Sequence, residues 1–477
     1  MRRGVDESST AEQSPPRTAI KRKGSRLVEH HIRKKGKLII SETEIEETSK
    51  SLTLNSCSST TTTFSSHIYR NTNYSSYADT NHAHKKHHHK RRKPKLATEF
   101  EHRQWNNSTL DLSSYKDRVI FVSYNILGVE NASKHPDLYR KVSPKYMDWD
   151  YRKQLLRKEI KDYKAGIMCL QEVDRFDDLG NLLRKDGFRG VYKARTGDAC
   201  DGCAIFWKYK QFSLLHEESI EFQSFGLRNN VAQLCVFKTK QNQSNPRTNS
   251  QASRSKSSQT FVVGNIHVLF NPSRGDIKLG QMRLFLEKAQ KLSQEWGSIP
   301  VVLTGDLNSM PQSAIYQFLA SSELDIFLHD RRQLSGQICP SDYPVFQSRS
   351  THAARFFMSK KPFVHKWSDE ELMLASGSGD AYLRHQLKLH SAYVGVPGSS
   401  RTRDNFGEPL ATSFHSKFMG TVDYIWHTAD LVPVRVLELL PINTLRKMGG
   451  LPNKKWGSDH LALVCELAFT NHSIAAE

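Results

Sequence analysis

A chain of 477 residues with 69 Lys and Arg against 49 Asp and Glu carries a formal net charge of +20, and 37% of it is hydrophobic. Those totals predict one large folded region joined to segments too polar to bury a core, with no apolar run long enough for a membrane-spanning helix and so no membrane partner. The basic excess points to phosphate-rich partners: RNA, DNA, nucleotides or anionic lipid.

Residues 1–114 read as a disordered basic tail, rich in Ser, Thr, Lys, Arg and His and sparse in apolar residues. Two clusters stand out: Lys21-Arg22-Lys23 with Arg33 to Lys37, and Lys85 through Lys95, the second including His87, His88 and His89. They fit a nuclear localisation signal or an electrostatic arm for nucleic acid, with a solvated tail and a His-rich metal tract as the other readings. Asp6, Glu7 and Glu12 and the lack of an apolar stretch argue against a secretory or organelle leader. Seven scattered cysteines fit free thiols in a reducing compartment, so nucleus and cytoplasm are the expected locations. Cys200 and Cys203 make a single CxxC pair, and Cys203-Ala204-Ile205-Phe206-Trp207 reads better as a core strand than as half of a zinc site.

A folded domain is predicted over 115–470. Arg118 to Tyr124 is a strand that presents Asn125 at its end, and Tyr151, Leu155, Leu156, Ile160 and Tyr163 recur at helical spacing until Gly166. Ile167 to Leu170 is a short buried strand running into Gln171-Glu172, followed by strands at Ala204 to Trp207 and Val231 to Phe237. A polar stretch, 238–259, reads as a flexible insertion in a hairpin. Phe261 to Val268 is a strand that ends near His267, and Leu279 to Trp296 carries a helical apolar stripe. Val301-Val302-Leu303 then leads through Gly305 to Asp306 and Asn308, with Ser309 and Pro311 expected to open a helix and Gly305 expected to let substrate approach. Residues 331–405 read as an irregular insertion decorating the active face, with a short helix after Trp367. Thr421 to His427 and Ser458 to Val464 close the series.

Asn125, Glu172, His267, Asp306, Asn308, Asp423, Asp459 and His460 thus stand at the ends of strands in an alternating strand and helix chain, which describes a polar cleft at the rim of stacked sheets. Glu172, Asp306 and Asp459 are hard oxygen ligands suited to Mg²⁺, with Mn²⁺ as the alternative. Asp423 beside His460 would fix one tautomer and keep the ring charged. Asn125 and Asn308 can donate to phosphoryl oxygens without adding charge, and the set suits in-line phosphodiester cleavage by a metal-assisted water.

Leu170-Gln171-Glu172, Gly305-Asp306-Leu307-Asn308, Val422-Asp423-Tyr424-Ile425 and Ser458-Asp459-His460 resemble the ordered motifs of the endonuclease/exonuclease/phosphatase superfamily. Ser123-Tyr124-Asn125-Ile126-Leu127, Asp201 to Phe206 and Asn265-Ile266-His267 are similar to the carbon catabolite repressor four type of deadenylase, particularly its plant homologues. The resemblance implies an α/β fold of four layers, a deoxyribonuclease-like sandwich of two packed mixed sheets flanked by helices. It also implies a Mg²⁺-dependent 3′–5′ exoribonuclease that shortens mRNA poly(A) tails. By motif, Glu172 is the metal ligand, Asn125 its neighbour and Asp459 close by. Asp306 positions or activates water, Asn308 stabilises the transition state and His460 pairs with Asp423. His267 contacts the scissile phosphate, and Asn230 resembles a further phosphate contact. The leucine-rich repeat that joins the best-known members to a larger deadenylase complex has no counterpart in the N-terminal half, which leaves such a complex as a partner without its usual attachment.

Two other readings fit the same residues: a phosphatase acting on a small dinucleotide or another phosphate ester, and a catalytically dead RNA-binding scaffold. The scaffold would be favoured by loss of a metal ligand or of His460, and this chain keeps them.

Overall fold

The computed structural model describes residues 103–240, 258–337 and 367–470. The two basic clusters, most of the 238–259 insertion and the middle of the 331–405 stretch lie outside the described residues.

In chain order the first elements are β1 (Trp105–Asn107), β2 (Arg118–Asn125), α1 (Val129–Lys134), α2 (Pro144–Met147), α3 (Trp149–Tyr163), β3 (Ile167–Gln171), α4 (Phe176–Arg184), β4 (Phe188–Ala194) and β5 (Gly202–Lys208). Next come β6 (Phe212–Glu221), β7 (Val231–Thr239), β8 (Thr260–His267), α5 (Gly275–Glu295), β9 (Val301–Asp306), α6 (Ala314–Ser321) and β10 (Glu323–Asp325). The last are α7 (Asp369–Ser376), β11 (Tyr382–Arg384), β12 (Leu389–Ser391), β13 (Ser413–His415), β14 (Phe418–Gly420), β15 (Asp423–Thr428), β16 (Leu431–Leu437), α8 (Ile442–Met448) and β17 (Leu463–Phe469). A seven-stranded sheet has the order β1-β16-β17-β2-β3-β5-β4, and a six-stranded sheet the order β12-β15-β9-β8-β7-β6. Both are mixed, with one parallel pair each, β2 with β3 and β8 with β9.

The period of two along each strand builds the layers. Phe121, Cys169 and Ile205 of the larger sheet pack with Phe261, Val263, Val302 and Ile425 of the smaller one, forming the central core. The intervening residues Val122, Tyr124, Met168 and Leu170 turn outward onto Leu156 and Ile160 of α3 and Leu179 and Leu183 of α4. Val262, Ile266, Val301 and Leu303 turn the other way, onto Met282, Phe285 and Ala289 of α5 and Ile315 and Phe318 of α6. Helix, sheet, sheet and helix give the four expected layers. Among the described residues no helix is long and apolar enough to cross a membrane.

Along the inward-facing positions the residue type changes from apolar to polar at one end. Phe121 gives way to Ser123 and Asn125, Cys169 to Gln171, Val263 to Asn265 and His267, and Val302 to Thr304 and Asp306, while β15 begins with Asp423. Just behind that end Gln171 Nε2 donates to Asn265 Oδ1 at 2.7 Å, and Asn265 Nδ2 donates to the Leu170 and Ala204 carbonyls, both at 3.0 Å. The two sheets are therefore joined by a polar bridge where the cleft begins, with Gln171 Oε1 buried and left without a partner among the described residues.

Several expectations need correction. The fold begins before residue 115, because β1 pairs with β16 and Arg103 donates from Nη2 to the carbonyls of Ala462 at 2.7 Å and Leu437 at 3.1 Å. The 331–405 stretch is not mere decoration: Leu372 and Ala375 of α7 join the core around α5, and β12 completes the smaller sheet beside β15. Helix α6 is capped by Ser313, whose side chain accepts from Tyr316 N, while the Ser309 hydroxyl donates to the Leu307 carbonyl. Helix α3 ends at Lys164 in the left-handed conformation, two residues before Gly166. Gly305 is required by the neighbouring strand, a reason the sequence did not show, since a β-carbon there would meet the Ile266 carbonyl oxygen at 2.1 Å.

Candidate active site

The site grows from the parallel pair β2 and β3. Their last residues, Asn125 and Gln171, are in register, and Glu172 follows with φ 55°, in the left-handed region that turns the chain out of the strand. Glu172 Oε1 accepts from Asn125 Nδ2 at 2.9 Å, and Oε2 accepts from Gly128 N at 3.0 Å and Asn131 Nδ2 at 3.1 Å. Asn125 Nδ2 also donates to Asp306 Oδ2 at 3.1 Å. One amide nitrogen thus serves two carboxylates from different sheets, which fixes the orientation of the asparagine because carboxylates only accept.

The smaller sheet contributes the other half. In its strand registers Asp306 lies opposite His267 on one side and Asp423 on the other. Asp306 Oδ2 is 3.6 Å from His267 Nε2 and 3.8 Å from His460 Nε2, while Oδ1 accepts from Asn308 N at 2.9 Å. Asn308 has φ 44°, and its carbonyl accepts from the buried Lys278 Nζ of α5 at 2.6 Å. The Asn308 amide donates to the Val268 carbonyl at 3.0 Å and lies 3.2 Å from His267 Nε2. His460 Nδ1 donates to Asp423 Oδ2 at 2.8 Å. Since the carboxylate can only accept, the ring carries its proton at Nδ1 and directs Nε2 towards Asp306.

Charge follows from these partners. Burial works against ionisation of Glu172, yet the nearby His267 ring and the hydrogen bonds from Asn125, Asn131 and Gly128 together hold it below the ordinary carboxylate range. Burial pushes Asp306 up, as does the Asp423 charge, with the two imidazoles pulling the other way. Burial opposes a charged His460, but Asp423, through its charge and its hydrogen bond, then Asp459 and Asp306, raise it well above the usual imidazole value.

Asp459 and Asn230 are placed differently from their neighbours. Asp459 Oδ2 accepts from the Tyr139 hydroxyl at 2.9 Å. Asn230 is committed within the protein: Nδ2 donates to the His267 carbonyl at 3.0 Å and Oδ1 accepts from Gln281 Nε2 at 3.1 Å. It supports the strand carrying His267. Residues that sequence reasoning missed are Asn131, Tyr139, Lys278 and Arg152. Arg152 is fully buried and donates from Nη1 to the carbonyls of Ile126 at 3.0 Å, Leu127 at 2.8 Å and Gly457 at 3.1 Å. It ties the loop after Asn125 to the loop before Asp459.

Candidate metal-ligating atoms of Asp306, Asp423 and His460 all lie within 4.8 Å of one another. His460 Nδ1 is occupied by Asp423, so that trio reads as a dyad facing a carboxylate. Asp306 is buried and Glu172 half-buried, and their partners, among the described residues, include no Lys or Arg. Carboxylates that only imidazoles and neutral donors face, with hard oxygen atoms turned to the cleft, fit a divalent cation.

Residues 122–460, which span every residue of this site, match the endonuclease/exonuclease/phosphatase family model. Carbon catabolite repressor protein 4 homolog 5 of Arabidopsis thaliana is 57% identical over 385 residues, 80% of this chain and 84% of that protein. Homolog 3 from the same plant is 47% identical over 369 residues, 77% of this chain and 79% of that protein. The crystal structure of ANGEL2, a 2′,3′-cyclic phosphatase, in complex with adenosine-2′,3′-vanadate superposes with a TM-score of 0.59 at 29% identity, covering 77% of this chain and 98% of that one. A buried acidic and imidazole cleft at one end of two stacked sheets, on a chain with these relatives, is that of a phosphoester-cleaving enzyme, and the chain belongs to the endonuclease/exonuclease/phosphatase family, among the carbon catabolite repressor protein 4 homologues.

Proposed function

We propose that the chain is a Mg²⁺-dependent 3′–5′ exoribonuclease that shortens mRNA poly(A) tails, hydrolysing the terminal phosphodiester by in-line attack of water. The observation that carries this reading is the position of Asp306 Oδ2, which has the Asn125 amide at 3.1 Å and two imidazole Nε2 atoms at 3.6 and 3.8 Å around it. A divalent cation, Mg²⁺ or Mn²⁺, would supply Lewis-acid charge at the phosphoryl oxygens, held by Glu172 and Asp306 with Asp459 nearby.

The chain's own residues do the remaining work. Asp306, its proton affinity raised by burial and by Asp423, accepts the proton of the attacking water. His460, kept charged by Asp423, donates from Nε2 to the oxygen on which charge develops. His267, Asn308 and Asn125 would hold the phosphate, the two amides turning to it hydrogens they now give to Glu172, Asp306 and the Val268 carbonyl, and Asn230 acts through the His267 backbone.

A second reading is favoured by one observation, the likeness to a 2′,3′-cyclic phosphatase that is covered over 98% of its length. Both activities act on the phosphoester at a ribose 3′ oxygen, so the same donors would serve either. The deciding assay uses 5′-labelled RNA ending in adenosines, with either a free 3′ hydroxyl or a 2′,3′-cyclic phosphate. The exoribonuclease reading expects a ladder of shortened products from the hydroxyl-ended RNA in Mg²⁺ and none in EDTA. Opening of the cyclic end without shortening would overturn it in favour of the second.

A further inference from the structure

Beside the site lies a surface on which several positive charges form no ion pair among the described residues. Two segments meet there, 128–151 and 441–457. The first is anchored by the Tyr139 hydroxyl on Asp459 at 2.9 Å, and the second runs directly into Ser458-Asp459-His460. They touch each other: the Tyr151 hydroxyl donates to the Lys454 carbonyl at 3.2 Å, and a β-carbon at Gly450 would lie 3.8 Å from Val142 Cγ2.

The acids of the first segment already have partners. Glu130 pairs with Arg175, Asp137 with Lys417 and Asp150 with Lys153, while Asp148 accepts from Tyr151 N at the start of α3. Arg140, Lys141, Lys145, Arg446, Lys447 and Lys454 are exposed, and none of them forms an ion pair among the described residues. Arg446 and Lys447 sit in the last turn of α8, where a cation also complements the helix dipole. The helix dipole does not account for Arg140, Lys141, Lys145 or Lys454. Two aromatic rings lie among these charges, Tyr146 and Tyr151, with centroids 5.5 Å apart, and Lys145 Nζ stands 4.9 Å from the Tyr146 ring centre.

Cations interleaved with half-open aromatic rings, in continuity with a phosphoester site, match a single-stranded nucleic acid, whose backbone needs the charges and whose bases need the rings. An anionic bilayer would call for an exposed apolar wedge as well, and Tyr151 is the one large hydrophobic side chain exposed in these segments among the described residues. Resting on the exoribonuclease reading above, we propose that this face binds the RNA chain leading away from the nucleotide being removed, with phosphates on Lys141, Lys447 and Lys454 and bases against Tyr146 and Tyr151.

The test uses the full chain, with Lys141→Glu, Lys447→Glu and Lys454→Glu combined, and separately Tyr146→Ala with Tyr151→Ala. Binding of a fluorescent oligo(A) of about 20 nucleotides is followed by anisotropy in EDTA, so that no cleavage is needed. The charge variant should weaken binding at least about tenfold and flatten the plot of log affinity against log salt by about 2, as for three lost contacts to a single strand. The tyrosine variant should weaken it about tenfold with the salt slope kept. Hydrolysis of the dinucleotide ApA in Mg²⁺, too short to reach the face, should be unchanged in both, which shows that the site is intact. Oligo(A) binding within about twofold of the parent in both variants would overturn the proposal. So would loss of binding to phosphatidylserine vesicles with RNA binding retained. A parent protein that binds oligo(A) through this face yet never shortens it would defeat the exoribonuclease reading and leave this inference standing.

Discussion

His460 Nδ1 donates to Asp423 Oδ2 at 2.8 Å, and Asp423 in turn lies opposite Asp306 in the pairing of β15 with β9. One strand pairing therefore sets both the partner that charges the imidazole and the carboxylate that its other nitrogen faces. If the pair acts as a unit, Asp423→Asn and His460→Ala should each lower kcat by about a hundredfold or more, and the double variant should be little worse than either. Kinetics and thermal midpoints of the three variants check this. Losses that multiply, or a stability defect without a rate defect, would leave Asp423 a structural residue.

Glu172→Gln should abolish cleavage with the fold retained. The variant keeps an oxygen for two of the three donors but sets an amide against Asn125 Nδ2, a change worth about one hydrogen bond, or ~1 kcal/mol. A thermal midpoint close to that of the parent, with activity gone, is the expected pair of results. Chelation by EDTA should silence the parent in the same way, and full activity in EDTA would exclude metal assistance.

The N-terminal boundary can be located by truncation. A chain starting at Arg103 keeps β1 and the Arg103 bonds to Leu437 and Ala462, whereas one starting at Tyr115 loses both. The shorter chain should melt at a lower temperature, by several degrees, because buried carbonyls near His460 lose their donor. Equal midpoints for the two chains would show that β1 adds nothing.

Arg152→Leu should destabilise the protein by about 3 kcal/mol or more, since three buried carbonyls lose their donor. Activity per folded molecule should fall as well, because Asn125 and Asp459 border the loops that the guanidinium joins. Denaturant unfolding alongside kinetics separates the two effects, and a variant of parental stability would refute the assignment.

Two buried carboxyls give stability a pH dependence away from the cleft. Burial pushes Glu159 and Glu408 up to about 7, from an ordinary 4.5. The folded state binds these protons more tightly than the unfolded chain, so this contribution is largest below 4.5 and is lost as pH rises to about 7. Each glutamate accounts for at most roughly 3 kcal/mol of that decline. Glu159→Gln and Glu408→Gln should each flatten the fall in thermal midpoint between about pH 5 and about pH 8. An unchanged slope in both variants would contradict the raised values.

The residues at strand ends were legible in the sequence because a strand repeats every second position. Apolar runs that stop at Asn125, Glu172, His267 and Asp306 mark both the strand and its mouth, and the motifs around Asp423 and His460 complete the set. Short elements were not legible: β1 and β12 have three residues each, too few to display a period, so the domain start and the edge of the smaller sheet were misplaced. Nor could the sequence say what Gly305 is for, since the carbonyl it accommodates belongs to Ile266 on another strand.

By itself the sequence determined the main strands and the polar end of the cleft, because both follow from local alternation, and the four layers were legible only through the resemblance of its motifs. Only the tertiary structure decided the partners: Asn125 shared between Glu172 and Asp306, Tyr139 on Asp459, Lys278 beneath Asn308, and Asn230 turned to support His267. Those contacts join residues far apart in the chain, and a polar side chain on a helix face carries no local sign of which buried group it will satisfy.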